Sequence, residues 1–207
     1  MDRENPKVYG ACGIVSAVLL TAAYVVGDLL RPGFSSMRQA ISELIESGAP
    51  NKALLDGMLF GFHGLVIPFA YGLHRGIDGG KGSRLGPFLL AGAGVLGLVL
   101  TAFFPCDPGC EPVTLRGIMH IFISIPMGFM VLFSILAFSR RLKKTDDWAG
   151  YGRYSLITFS AGFLLGVLAV VFAKSSVGGL IERLISASYQ QWYIVMGIAL
   201  VRRGSQT

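Results

Sequence analysis

The chain has 207 residues, more than half of them hydrophobic and only 14% charged, where a soluble domain carries about a quarter. That deficit excludes an ordinary water-soluble fold and points to a polytopic membrane class. The net charge of +6 is spread between long apolar runs instead of forming one basic surface, so no nucleic-acid partner is expected.

Six apolar runs occur in order at 8–30, 53–73, 85–104, 117–138, 156–173 and 181–201. At a rise of about 1.5 Å per residue, each covers or nearly covers the ~30 Å hydrocarbon core. Lipid cannot satisfy exposed backbone polar groups, so such runs must be helices. They are also too continuous for barrel strands, which would alternate. The first run exceeds a signal-peptide core and no small-x-small cleavage site follows, so it is read as a retained span. The last run is interrupted by Glu182, Arg183, Gln190 and Gln191.

The connection after the first span has its own pattern. Ser36 and Gln39 fit a capping box, Met37, Ile41, Leu44 and Ile45 recur at helical spacing, and Gly48 and Pro50 stop the run. A short amphipathic helix is expected there, at the membrane interface or lidding the bundle mouth. Asn51 is positioned to cap the second span. The glycine-rich stretch 76–86 reads as a flexible turn, with His74 and Arg75 at the interface beside it. Trp148, Tyr151 and Tyr154 read as interfacial anchors in the basic stretch 140–153. The expected fold is therefore all-α, a six-helix transmembrane bundle filling 1–207 as one domain.

With an inward N-terminus, Arg3, Arg140, Arg141, Lys143, Lys144, Arg202 and Arg203 fall among the cytoplasmic cations, and twelve of the 18 lysines and arginines lie on that side. The positive-inside rule then predicts a multi-pass cell-membrane protein with both termini cytoplasmic.

Ionisable groups inside spans are costly and need a reason. Asp28 ends the first span, Asp56 and His63 lie seven residues apart on one face of the second, and His120 lies a turn inside the fourth with Ser124 at i+4. Asp107 sits in the connection after span three, Ser42 and Glu43 in the amphipathic segment, and Glu182 and Arg183 at the start of span six. All lie toward the outer side, where Glu43, Asp56, His63, Asp107, His120 and Glu182 are expected to converge on one outward-facing pocket. Catalytic roles fall to His63 and His120 as bases, Asp56, Asp107 and Glu43 as orienting groups, and Ser42 as nucleophile. Ser124, Glu182, Arg183 and Asp28 are candidate binding residues, with Ser124 a second nucleophile candidate. Two histidines with several carboxylates also suit a divalent metal. No H-E-x-x-H, G-x-S-x-G, P-loop or Rossmann signature is present. Cys106 and Cys110 share an outer connection and are expected to form a disulfide, with free thiols and a redox or metal pair as alternatives.

The ordered set Ile41-Ser42-Glu43-Leu44, Gly48-Ala49-Pro50, Phe69-Ala70-Tyr71-Gly72-Leu73, Phe104-Pro105-x-Asp107, His120 and Gly179-Leu180-x-Glu182-Arg183 resembles the prokaryotic six-span family known as domain of unknown function 998. The resemblance implies a six-helix membrane protein and no particular activity. The family pattern does not require Cys106 and Cys110, which weighs against a redox role. Two functional classes remain open. One is a hydrolase or transferase acting on a lipid or lipid-linked substrate. The other is a non-catalytic sensor, scaffold or ligand-binding bundle for a hydrophobic small molecule, with a transporter as a weaker variant.

Overall fold

In the computed structural model, which describes residues 5–204, six α-helices carry the chain. They are α1 (Pro6–Leu30), α2 (Lys52–Gly76), α3 (Leu85–Phe103), α4 (Leu115–Leu142), α5 (Ala149–Phe172) and α6 (Gly178–Arg203). Each is long and apolar enough to cross a membrane. Among the described residues there is no strand. Arg3, one of the orienting cations, lies outside the described residues.

Helix starts follow local chemistry. Asn5 accepts from the Lys7 N–H at 3.1 Å, and Pro6 sits in the first turn, where its missing N–H is not needed. The Thr114 hydroxyl accepts from the Gly117 N–H at 3.3 Å and starts α4 at Leu115, ahead of its apolar run. Asn51 does not cap α2. It adopts a left-handed conformation, and its amide donates instead to the Leu30 carbonyl at 3.4 Å.

Each helix packs on its neighbours in sequence, and α6 closes against α1 to complete a ring. Close approach depends on small residues: a Cβ on Gly10 would collide with the Gly197 backbone, and one on Gly197 with that of Gly10. The ring has two ends. The loop face carries connections 31–51, 104–114 and 173–177, and the basic face carries 77–84, 143–148 and the end of α6.

Toward the basic face the interior is solid. Phe69, Leu73, Ile77, Ile135, Phe138, Leu142, Trp192 and Met196 are fully buried there, with Phe69 and Phe138 packed on the Trp192 ring. The Trp192 indole N–H donates to Ser155 Oγ at 2.8 Å, so its burial leaves no orphan donor. The 76–86 turn is pinned. Arg141, buried in α4, donates to the Ile77 carbonyl at 2.6 Å, the His74 carbonyl at 2.8 Å and the Asp78 carboxylate at 2.5 Å, while His74 Nδ1 lies 2.9 Å away. Burial raises the Asp78 pKa, but the hydrogen bonds from Arg141 and from the Gly82 N–H outweigh it, and the net shift is downward. Trp148 is likewise no surface anchor. It is 1% exposed, with the Arg203 guanidinium 4.1 Å from its ring centre.

The connection between α1 and α2 differs most from expectation. In place of an α-helix it forms a turn at 35–39 and a 3-10 turn at Ile41–Ile45. Local turn bonds account for some of its backbone groups, and α6 takes several of the others. Arg183 donates to the Ser36 and Gln39 carbonyls at 3.0 and 2.8 Å, and Glu182 accepts from the Ile41 N–H at 2.8 Å. The free N–H groups of Gly179 and Leu180 at the α6 start donate to the carbonyls of Arg38 and Met37. Leu44 and Ile45 are buried, so the segment covers the loop-face mouth of the ring.

Candidate functional site

Toward the loop face the ring is hollow. A cavity of about 760 Å³ lies among α2, α3, α4, α5, α6 and the covering connection. It falls within the size range of small-molecule sites. Most of its wall is apolar, including Leu59, Phe62, Val66, Leu100, Met127 and Val131. It reaches Ile121, Ser124, Ile125 and Gly128 on α4, Ala169 and Val170 on α5, and Ala173 just past the end of α5. The two helices meet tightly nearer the basic face, where a Cβ on Gly152 would crowd Lys143 and one on Gly162 would crowd Leu132. Nearer the loop face a Cβ on Gly128 or Gly166 would meet nothing within 4 Å, and Ile125 and Val170 are exposed. The cavity thus reaches the outer surface of the bundle between α4 and α5.

Six of the sequence candidates meet on its wall: Ser42, Glu43, His63, His120, Ser124 and Glu182. His120 is the best oriented. Its Nδ1 lies 2.8 Å from the Phe104 carbonyl. A carbonyl only accepts, so Nδ1 carries the proton, and in the neutral ring Nε2 keeps its lone pair. His63 is held differently, with its ring laid against α3 where a Cβ on Gly97 would overlap it. Among the described residues no hydrogen bond reaches its ring nitrogens. Glu43 accepts from the Ala40 N–H and from Gln39 Nε2, each at 2.8 Å.

The remaining four stand apart from the wall. Asp28 accepts from Arg183 at 3.1 Å and from the Ser36 hydroxyl, so both residues fasten the connection to α1 and α6. Asp56 pairs with Lys52 at 2.5 Å, one turn back, and does not turn toward His63. Asp107 is occupied at the start of α4. It accepts from the Val113 N–H at 2.9 Å and from the Thr114 N–H and hydroxyl, each at 2.7 Å. Those bonds, the Thr114 N–H foremost, hold its carboxyl below the usual carboxylate range.

Among the described residues the nucleophile candidates are not paired with a base. Ser124 Oγ donates to the Ile121 carbonyl at 3.3 Å, and Ser42 Oγ lies 3.3 Å from Cys110 Sγ. Cys106 and Cys110 are joined by a disulfide. The loop it closes docks on the covering connection, with the Gly109 N–H donating to Glu46 at 2.6 Å and the Ser47 N–H to the Cys106 carbonyl at 2.8 Å. Among the described residues no three of His, Cys, Asp and Glu are grouped as a metal site.

The model of the family described as protein of unknown function DUF998 matches residues 14–199. The chain belongs to the DUF998 family. No curated protein and no solved structure matches it. In this DUF998 chain the matched stretch contains every residue of the cavity wall. Its Phe69–Leu73 motif, however, lies in the solid half and not at the loop face. Reading residues one by one missed Thr101, Ser186, Tyr189, Tyr193, Arg38 and Lys174 on the wall. Helical spacing from Glu182 points to Ser186, Tyr189 and Tyr193, which follow it at i+4, i+7 and i+11 on one face of α6. Nothing local marks Arg38 or Lys174, which reach the rim from separate connections.

Proposed function

We propose that this DUF998 protein binds a single lipid or lipid-linked molecule, admitted sideways from the bilayer between α4 and α5. The observation that carries this reading is the opening itself: an apolar cavity reaching the lipid-facing surface just where two helices of the ring part. Without water, a cavity with such walls is best filled by hydrocarbon. The polar groups gather at the loop-face end of the wall, as an amphiphile with a buried tail and a head near the interface requires. We further propose that the loop face is outward and both termini cytoplasmic, on the strength of the lysine and arginine clustering at the basic face.

Native mass spectrometry of the protein released from lipid nanodiscs tests the binding reading. The wild type should retain one lipid, and Gly128→Trp, which grows into open space at the portal, should lose most of it without loss of helicity. Equal retention by both would sink the lateral route.

The orientation of His120 favours a second reading, that the bound lipid is also a substrate. With Nδ1–H on a carbonyl, Nε2 is the ring nitrogen left free to act as a general base, and His120 lines the cavity. Incubation with phosphatidylethanolamine and phosphatidylglycerol vesicles should then generate a new lipid species that His120→Ala abolishes. Retention of lipid with no new species would leave a binding protein.

A further inference from the structure

The polar end of the cavity has an unbalanced set of charges. Glu43 and Glu182 both lie on its wall, and the donors they engage, Ala40 N–H, Gln39 Nε2 and Ile41 N–H, are all neutral. Among the described residues neither carboxylate has an ion-pair partner. The neighbouring cations are committed elsewhere, Arg183 to Asp28 at 3.1 Å, Arg31 to Glu46 at 2.6 Å, and Lys174 to Glu111 at 3.7 Å on the rim. Arg38 is the exception: it reaches the rim, and among the described residues no acceptor meets its guanidinium.

A second observation is independent of the carboxylates. His63 and His120 are 8% and 5% exposed, both line the cavity, and His120 Nε2 is left without a partner among the described residues. An acceptor left open on a cavity wall can take a hydrogen bond from a donor inside the cavity. The wall therefore offers three acceptors of two kinds, the Glu43 and Glu182 carboxylates and the His120 imidazole, and the carboxylates lack a countercharge in a low-dielectric setting.

We propose that this end of the cavity selects a lipid head group bearing a primary ammonium, whose phosphate meets Arg38 at the rim. An ammonium supplies N–H donors together with the positive charge that Glu43 and Glu182 lack. A trimethylammonium head has the charge but no donor, and a glycerol head has donors but no charge. The proposal rests on the lipid-binding reading above and names its head-group class.

The test measures lipid retained on the protein from nanodiscs of phosphatidylethanolamine, phosphatidylcholine and phosphatidylglycerol with identical acyl chains. Charge-assisted bonds of ordinary strength predict about tenfold preference for the ethanolamine head. Glu182→Gln and Glu43→Gln each keep an amide oxygen for the Ile41 or Ala40 N–H, and each should bring the three lipids to within about twofold while total retained lipid persists. Retention without head-group preference, or a preference that neither variant alters, overturns the ammonium site and leaves lipid binding standing. No retained lipid of any kind, with no binding of free ethanolamine, overturns both. Binding of free ethanolamine by a protein that retains no lipid would keep the ammonium chemistry and overturn the lipid source. If one variant fails to insert, the other and the wild-type preference still decide.

Discussion

Asp107 and His120 differ in role although they lie thirteen residues apart and both are ionisable groups at the loop face, one just before α4 and one inside it. Asp107 satisfies backbone donors at the α4 start, whereas His120, a little over a turn further in, spends one nitrogen on a carbonyl and keeps the other. The difference has a pH signature. Because the folded Asp107 pKa is lowered, the unfolded chain takes up its proton first on acidification. The stabilisation is complete above the ordinary carboxylate pKa of about 3.9 and drains away as pH falls through the lower folded value. Amide exchange at Val113 and Thr114 should therefore accelerate below about pH 4, relative to α4 interior amides, and Asp107→Ala should show that faster exchange already at neutral pH. At this scale, sequence reasoning could find costly groups, because a buried charge announces itself by type. It could not say which faced a cavity, since partners such as Thr114 and Lys52 compete for the same carboxylates. His63 makes the same point, because its place against Gly97 depends on where α3 happens to lie.

At the scale of elements, arginines from neighbouring helices decide the shape of two connections. Arg183 holds the 31–51 connection open as turns, and Arg141 holds the 77–84 turn closed. Arg141 is 6% exposed and serves a carboxylate and several carbonyls, so Arg141→Met should lower stability by about 3 kcal/mol, in the range for breaking a buried pair. Thermal unfolding in detergent measures this, with a Tm change indistinguishable from that of Lys144→Met counting against it. Helical periodicity in the 36–45 stretch was a sound local signal, yet tertiary hydrogen bonds outbid it. Short helices are marginal on their own, and competing donors from α6 tip the balance. The same cause explains why glycine-rich 76–86 is ordered: its composition permits flexibility, but a buried guanidinium removes it.

The whole molecule is a ring that is filled at one end and hollow at the other, and the orientation proposed for it rests on charge alone. A cysteine introduced for exposed Asp146 should react with an impermeant maleimide only after the cells are opened, if the basic face is cytoplasmic; labelling of intact cells would reverse the topology. Composition and run length by themselves determined the membrane class, the six helices and most of their bounds, because the cost of unsatisfied backbone in lipid leaves no other structure for such runs. They also marked a loop-face concentration of polar groups. Only the tertiary structure decided that Ser42, Glu43, His63, His120, Ser124 and Glu182 share a wall while Asp28, Asp56, Asp107 and Arg183 do not, and that the wall opens between α4 and α5. A helix in lipid can turn any face inward at little cost in backbone energy, so which side chains meet is set by the close packing of small residues such as Gly10, Gly97 and Gly197 across helices distant in sequence.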